Sequence, residues 1–247
     1  MVRVKCSVSY DGSKFHGFQV QNKLRTVQGE IQKALKNICK EEIIIHGSGR
    51  TDAKVHGTKQ VFHFDTTREM PEAQWKRAIN HFLPNDIYIL DSYFVDENFH
   101  SRYSAIKKEY HYLLSTNEYS PFETNYIFQY GRPLDLELMR EAAKIFIGEH
   151  DFASFCGNPK MKKSTVREIY SIDVSLKGSF LNLTYHGSGF LQYMVRILSG
   201  TLLEVGQGKR TPESMYELLE ERNRSLAGAT APAKGLCLLK VDYSKEA

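Results

Sequence analysis

The stretch HGSGRTDAKVHG, residues 46–57, places an arginine, a threonine and an aspartate directly after two glycines. Gly47 and Gly49 can adopt backbone angles that are closed to other residues, and they let a ligand or another backbone come close. Asp52 is therefore a candidate for a presented, reactive carboxylate. The alternative is that Asp52 only caps a short helix or closes a turn, as aspartate often does after glycine.

Hydrophobic periodicity on both sides of this stretch predicts a mixture of strands and helices. Strands are predicted at 2–12, 41–49, 59–65, 86–95, 107–115, 167–189 (a hairpin turning at Lys177-Gly178) and 235–243. Helices are predicted at 26–40 with Thr26 as N-cap, 71–82 with Trp75, Ile79 and Phe82 on one stripe, 134–148, 189–206 and 212–222. These elements divide into an N-terminal α+β domain, 1–104, and a C-terminal α+β domain, 105–247, each with a sheet packed by helices.

Length and composition are typical of a globular protein. The chain has 247 residues, 41% of them hydrophobic, which fits one large domain or two of ordinary size. No run of eighteen apolar residues and no signal-peptide core occur, so we expect a cytoplasmic protein with no membrane span. The four cysteines are far apart in sequence and predict buried thiols, with neither a metal site nor disulfides.

The net charge of +4 is too small to predict nucleic-acid binding, but the basic residues are clustered. Each cluster taken alone is typical of a solvated surface. Fourteen tyrosines and fourteen phenylalanines add stacking surfaces that a polyanion carrying bases can use. The clusters are Lys107-Lys108, Lys160-Met161-Lys162-Lys163 with Arg167, and Lys209-Arg210.

Several familiar catalytic motifs are absent from the sequence. There is no G-x-G-x-x-G, no G-x-x-x-x-G-K-[ST], no H-E-x-x-H and no G-x-S-x-G. Dinucleotide, P-loop, zinc-protease and hydrolase templates therefore find no support.

Two further residues have unusual surroundings. Arg196 lies in the apolar stretch FLQYMVRILSGTLLEV, and a buried arginine needs a carboxylate or a phosphate. It could instead extend to the helix edge and pair with a surface acid. Tyr110 and Tyr112 share one face of the strand KKEYHYLLS, where they serve either as ordinary core or as a stacking surface.

Taken together, these stretches resemble the tRNA pseudouridine synthases of the A type. The family signature Gly-x-Gly-Arg-Thr-Asp-Ala-x-Val-His appears as GSGRTDAKVH. Matches that span nearly the whole chain in order are YDGSKFHGFQVQ, RTVQGEIQKAL, FLPNDI, FHSRYSAIKKEYHY, DFASFC, TVREI, GSGFLQYMVRILSGTLLEVGQGK and AGATAPAKGLCL. The resemblance implies the pseudouridine synthase fold, with two similar halves, mainly antiparallel sheets and a basic cleft between the halves.

The resemblance also implies roles for individual residues. Asp52 matches the catalytic aspartate, Arg196 its basic partner, and Tyr110 the tyrosine that stacks on the target base. Arg50 matches the arginine that holds the place of the flipped base, and Leu236 an apolar residue of the base pocket. The reaction implied needs no cofactor and no metal.

Five lysines are predicted to contact the RNA. Lys54 and Lys59 stand where the family usually has glycine, on a segment expected to face the substrate. The other three come from the basic clusters: Lys108, Lys162 and Lys163.

The resemblance implies a homodimeric enzyme that isomerises uridine to pseudouridine in the anticodon stem-loop of tRNA, at positions 38 to 40. One alternative is a catalytically weak RNA-binding or RNA-chaperone protein of the same fold. A paralogue with shifted tRNA target sites is another. A carboxylate-dependent nucleosidase is a third, but basic clusters in both halves favour a large polyanion.

Overall fold

A computed structural model describes residues 1–158 and 160–243, and they form two compact units. The first unit comprises Met1–Ile106 together with the segment from Cys237 onward, and the second comprises Lys107–Leu236. The predicted boundary between 104 and 105 thus lies close to Ile106, where the chain first passes from one unit to the other. The segment from Cys237 belongs to the first unit, although the sequence-based division places it in the C-terminal domain.

The first unit is a sheet packed by two helices. Its elements are β1 (Val2–Tyr10), α1 (Val27–Cys39), β2 (His46–Gly47), β3 (His56–Thr66), α2 (Glu72–Phe82), β4 (Ile87–Val95) and most of β10 (Leu236–Tyr243). Strand β1 lies between β3 and β4 and is antiparallel to both, whereas β10 runs parallel to β3.

Alternation explains how β1 builds the core of this unit. Val4, Cys6 and Val8 are fully buried, as the period of two predicts, but Val2 at the strand end is exposed. Helix α1 begins where the sequence indicates, because the Thr26 side chain accepts a hydrogen bond from the Gly29 amide.

Helix α2 shows where the periodicity fails. Trp75 and Ile79 are buried as predicted, but Phe82 is 46% exposed. Phe82 is the last residue of the helix, and the chain becomes extended at Leu83, so its side chain leaves the packed stripe.

The second unit has the same construction. Its elements are β5 (Ala105–Ser115), β6 (Phe128–Gln129), α3 (Leu136–Ile145), β7 (Gly148–Asp151), β8 (Val166–Lys177), β9 (Phe180–Gly187), α4 (Met194–Gly206) and α5 (Ser214–Glu221). Strands β5, β9, β8 and β7 are antiparallel neighbours in that order, and β6 adds a short parallel pairing to β5. The α+β fold class is confirmed.

Turn glycines set the ends of several elements. The predicted β8–β9 hairpin turns at Gly178, which has a φ of +63°. Helix α3 ends at Ile145 and not at Gly148, because Gly148 adopts a φ of +104° and begins β7. The predicted strand at 41–49 is wrong in extent, since only His46–Gly47 pairs with β3.

Helix α4 begins later than periodicity predicts. The apolar stretch starts at Gly189, but the helix starts at Met194, directly after Tyr193 in the left-handed conformation. Within the described residues, no helix has the length and apolar character needed to cross a membrane.

Candidate active site

Asp52 lies in the loop that leads from β2 into β3. Its side chain is half-buried between buried Thr51 and exposed Ala53. The Val55 amide donates to the Asp52 carbonyl at 3.1 Å, so Asp52 opens a tight turn. Asp52 can therefore belong to a turn and still present its carboxylate, because the turn uses only its backbone carbonyl.

The loop is held in place by Tyr10, the last residue of β1, and by the segment that follows this strand. The Tyr10 hydroxyl is hydrogen bonded to the Thr51 hydroxyl at 2.8 Å, and the Phe18 amide donates to the Thr51 carbonyl at 3.1 Å. Gly17 allows this approach: its φ is +92°, and a Cβ there would lie 2.8 Å from the Thr51 carbonyl oxygen. Thr51, the residue before Asp52, is therefore held through both its side-chain hydroxyl and its backbone carbonyl.

Gly47 has a different role from the one predicted. The backbone of Gly47 lies outside the left-handed region. Gly47 is required for packing, because a Cβ there would lie 2.5 Å from the Phe18 ring. The residue with the unusual backbone is Lys54, whose φ is +65° and whose amide donates to the Phe15 carbonyl.

Replacing Lys54 with glycine is expected to stabilise the fold. A side chain in the left-handed region costs about 1–2 kcal/mol, and the flexibility of glycine in the unfolded chain offsets part of the gain. We expect Lys54→Gly to raise the free energy of unfolding by about 0.5–1 kcal/mol in urea denaturation. Lys54→Ala is the control, because it removes the charge but keeps the strained backbone. An equal gain in both variants would contradict the assignment to backbone strain.

Tyr110 lies in the middle of β5 in the second unit. It is only 8% exposed, and its ring meets the edge of Phe190 with centroids 5.3 Å apart. Phe190 belongs to the segment that leads into α4, so packing brings Tyr110 next to the start of that helix. Lys108 is half-buried two residues earlier on the same strand.

Arg196 projects from the first turn of α4 and is half-buried. Its Nε donates to the Ala231 carbonyl at 2.7 Å, and the Ala231 amide donates to the Arg196 carbonyl at 3.1 Å. The guanidinium also lies 5.1 Å from the centre of the Tyr193 ring. Burial raises the pKa of Tyr112, and the positive charge of Arg196 opposes that rise.

Glycine lets the segment that holds Arg196 pack on α4. A Cβ at Gly200 would lie 1.8 Å from the Ala229 carbonyl oxygen, two residues before Ala231. Tyr193 packs similarly on Gly157, where a Cβ would lie 2.2 Å from the ring. The left-handed backbone of Tyr193 is thus stabilised by close packing of its side chain.

The other predicted residues are distributed over both units. Arg50, Lys54 and Lys59 are exposed on or beside the Asp52 loop in the first unit. Leu236 is buried, at 4% exposure, at the start of β10. Lys162 and Lys163 are exposed in the segment before β8 in the second unit.

Sequence reasoning missed the residues that support the Asp52 loop. Tyr10, Thr51 and Gly17 form its base, and Tyr193 lies beside Arg196. Tyr10 and Gly17 are part of the matching stretch YDGSKFHGFQVQ, so the signal was present. Periodicity marks which residues are buried, but it does not mark which hydroxyls meet.

The rings of His46, His63, His100 and Tyr103 contact one another in series near the start of the same loop; these four residues are called the ring ladder below. The ring centroids lie 5.0 Å apart for His46 and His63, 4.8 Å for His63 and His100, and 4.4 Å for His100 and Tyr103. Burial, helped by the nearby His100 and His46, lowers the pKa of His63 to about 4. Burial also lowers the pKa of His100.

The low pKa of His63 predicts acid sensitivity. Below pH 6.5 the unfolded chain takes up a proton at this residue, whereas the folded chain does so only near pH 4, so unfolding becomes more favourable across that window. We expect thermal unfolding curves recorded between pH 7.5 and 4 to show a smaller loss for His63→Gln than for wild type. His16→Gln, at an exposed histidine, should lose as much stability as wild type. Equal losses in all three proteins would contradict the prediction.

Comparison with known proteins identifies the family to which the chain belongs. The sequence model of the tRNA pseudouridine synthases matches residues 6–104 and 142–244. The chain belongs to the tRNA pseudouridine synthase family, whose members are isomerases that act on uridines of tRNA.

Relatives match over the full chain. Two proteins named tRNA pseudouridine synthase A 1, from Bacillus cereus strains ATCC 10987 and ZK, are each 46% identical over 99% of this chain and 100% of their own length. A tRNA pseudouridine synthase A from Geobacillus sp. strain WCH70 is 46% identical over 98% of both chains. Among solved structures, a chain of the archaeal box H/ACA sRNP Nop10-Cbf5 complex aligns with 81% of this chain and 43% of its own, at 14% identity and a TM-score of 0.37.

Proposed function

We propose that this enzyme isomerises uridines in the anticodon arm of tRNA, at positions 38 to 40, and that Asp52 is its catalytic carboxylate. The observation that carries the proposal is the held loop: a half-buried carboxylate follows Thr51, whose hydroxyl and carbonyl are both fixed by hydrogen bonds. Such fixation is what a positioned catalytic group requires.

The reaction conserves composition. The N1–C1′ glycosidic bond breaks, the uracil turns within the site, and a C5–C1′ bond forms. N1 gains a proton and C5 loses one, so no atoms or electrons are gained overall. Asp52 acts in its ionised form, by attacking the ribose, attacking the base or removing a ribose proton.

The remaining residues act on the flipped nucleotide. The target base leaves its stack at a cost of a few kcal/mol, which stacking on the Tyr110 ring offsets. Arg50 occupies the place that the base leaves, Leu236 lines the base pocket, and Arg196 is the positive partner of Asp52.

Tyr110 offers a test of the stacking role. Tyr110→Ala is expected to lose about 1–3 kcal/mol of stacking, and turnover with it, whereas Tyr110→Phe keeps the ring and most of the activity. Single-turnover rates on tRNA measure both. If phenylalanine is as poor as alanine, the hydroxyl is the important group and stacking is not.

Lys54, Lys59, Lys108, Lys162 and Lys163 bind phosphates in this proposal. Each phosphate contact contributes roughly 0.7–0.9 to the slope of log affinity against log salt. A Lys54→Ala, Lys59→Ala double variant is therefore expected to have a slope shallower by that amount per lysine. An unchanged slope would mean that neither lysine meets a phosphate.

The direct test measures tritium release from C5 of uridine together with the formation of free uracil. An isomerase releases tritium from C5-labelled uridine in tRNA without freeing uracil, whereas a nucleosidase frees uracil and an RNA chaperone does neither. Carbodiimide primer extension on tRNA from cells that lack the protein identifies the target sites. Pseudouridine missing at positions 38 to 40 supports the proposal, and loss at other positions supports a paralogue with shifted targets.

The enzyme acts as a cytoplasmic homodimer in this proposal, as the family resemblance implies. The first unit has exposed aromatic side chains at Tyr88, Tyr93 and Phe94 on β4, and a partner chain would cover such residues. Light scattering at micromolar concentration tests this, and the mass of a single chain would contradict it.

A further inference from the structure

The ring ladder lies outside the residues assigned to catalysis, and both of its ends are exposed to solvent. Tyr103 at one end is 74% exposed, His46 at the other end is also exposed, and His63 between them is buried. Each ring contacts the next with centroids at most 5.0 Å apart, so the exposed Tyr103 ring is supported from behind by His100, which in turn packs edge-on against His63. A solitary exposed tyrosine would have no such support.

The backbone beneath Tyr103 is closely hydrogen bonded. The Ser104 amide donates to the His100 carbonyl at 2.9 Å, and the His100 amide donates to the Ser104 hydroxyl at 3.0 Å. The Arg102 amide donates to His100 Nδ1 at 3.1 Å. Because the turn is already ordered, binding to the Tyr103 ring costs little conformational entropy.

The charges around the ladder suit a nucleotide. Burial holds the pKa of His63 at about 4, so this ring is neutral at neutral pH, and its Nδ1 lies 3.0 Å from the Ser101 hydroxyl. The nearby Asp65 carboxylate is paired with Arg3 at 2.7 Å, and Arg102, beside Tyr103, is exposed. An exposed tyrosine ring next to an exposed guanidinium matches a flat base next to a phosphate.

The ladder is also joined to the loop that carries Asp52. The Ser101 hydroxyl donates to the His46 carbonyl, and His46 opens the stretch that reaches Asp52 six residues later. Six residues span at most ~20 Å between His46 and Asp52, and ring contacts of 4.4, 4.8 and 5.0 Å lead from Tyr103 to His46, so one RNA loop can reach both Tyr103 and Asp52.

We propose that Tyr103 stacks on an unpaired nucleobase of the tRNA, close to the target uridine, and that Arg102 contacts its phosphate. This site rests on the proposed function for its substrate. It differs from the target-base site, because the stacked base here is a neighbour that holds the RNA in register and does not react.

Binding assays on full-length protein test the site without turnover. Tyr103→Ala is expected to weaken the Kd for tRNA roughly 5- to 100-fold in filter binding, with the salt slope unchanged, and Tyr103→Phe should restore affinity. Arg102→Gln should make the salt slope shallower by roughly 0.7–0.9. Tyr119→Ala, at a tyrosine of similar exposure in the second unit, is the matched control and should bind normally.

Three outcomes would overturn the proposal. The first is wild-type tRNA affinity of Tyr103→Ala, which would show that the Tyr103 ring does not contribute to tRNA binding. A loss that Tyr103→Phe shares would assign the effect to the hydroxyl. Mass spectrometry of crosslinks from 4-thiouridine-containing tRNA should find the peptide that carries Tyr103, and crosslinks only elsewhere would exclude contact.

The assays separate this site from the proposed function. If tritium release fails but Tyr103→Ala still weakens tRNA binding, the site stands and the assigned reaction falls. If pseudouridine forms normally and Tyr103→Ala binds tRNA as wild type does, the reaction stands and the site falls.

Discussion

Asp52→Asn is expected to reduce turnover to below about one part in a thousand while tRNA affinity stays within a few-fold of wild type. The substitution keeps the volume of the side chain but removes the ionised oxygen that the chemistry needs. The Val55 amide bonds to the backbone carbonyl of residue 52, and Tyr10 bonds to Thr51, so the loop keeps its supports. Single-turnover pseudouridine formation measures the loss, and filter binding measures the affinity.

Glu41→Gln is the matched control for this experiment. It neutralises an exposed carboxylate of the same unit and should leave turnover unchanged. Residual activity of Asp52→Asn well above one part in a thousand would remove Asp52 from the role of nucleophile or base.

Arg196→Leu is expected to lower turnover by about 10²-fold or more, the size of effect seen when one charged or hydrogen-bonding group is removed from a catalytic site. Loss of the guanidinium charge disfavours ionisation of the Asp52 carboxyl, so the acid limb of the rate profile should move to higher pH. Arg196→Lys keeps the charge and should keep the wild-type pH profile, at reduced rate, since the Nε bond to Ala231 is lost.

Folding must be checked alongside the Arg196 variants, because Arg196 also holds the Ala231 segment against α4. Near-ultraviolet circular dichroism and thermal unfolding report this. A folded Arg196→Leu protein with an unchanged pH profile would show that the two residues are not paired.

Sequence patterns predicted the fold where burial is regular. The period of two in β1 and the Thr26 cap of α1 are local signals, and both appear in the structure. The late start of α4 was not predicted, because the left-handed backbone of Tyr193 depends on packing against Gly157, which is distant in sequence.

The candidate site divides in the same way. The stretch around Asp52 is contiguous, so it could be found by its letters alone. The Tyr10–Thr51 bond joins residues 41 positions apart, and the ring ladder brings His63 of β3 against His100, which follows β4, so both exist only in the folded first unit. Motifs therefore located the candidate carboxylate, while the residues that support its loop required the structure.

The pairing of β10 with β3 has a consequence for the order of synthesis. Cys237 and Leu238 pair with His56 and Gly57, and the Thr58 hydroxyl donates to the Leu238 carbonyl across 180 positions. The second unit lies between β3 and β10 in the sequence. During synthesis, β3 therefore lacks its neighbour β10 until the second unit has been made. We infer that the first unit is completed only after the second has been synthesised, so the strand that follows Asp52 gains its last neighbour after that point.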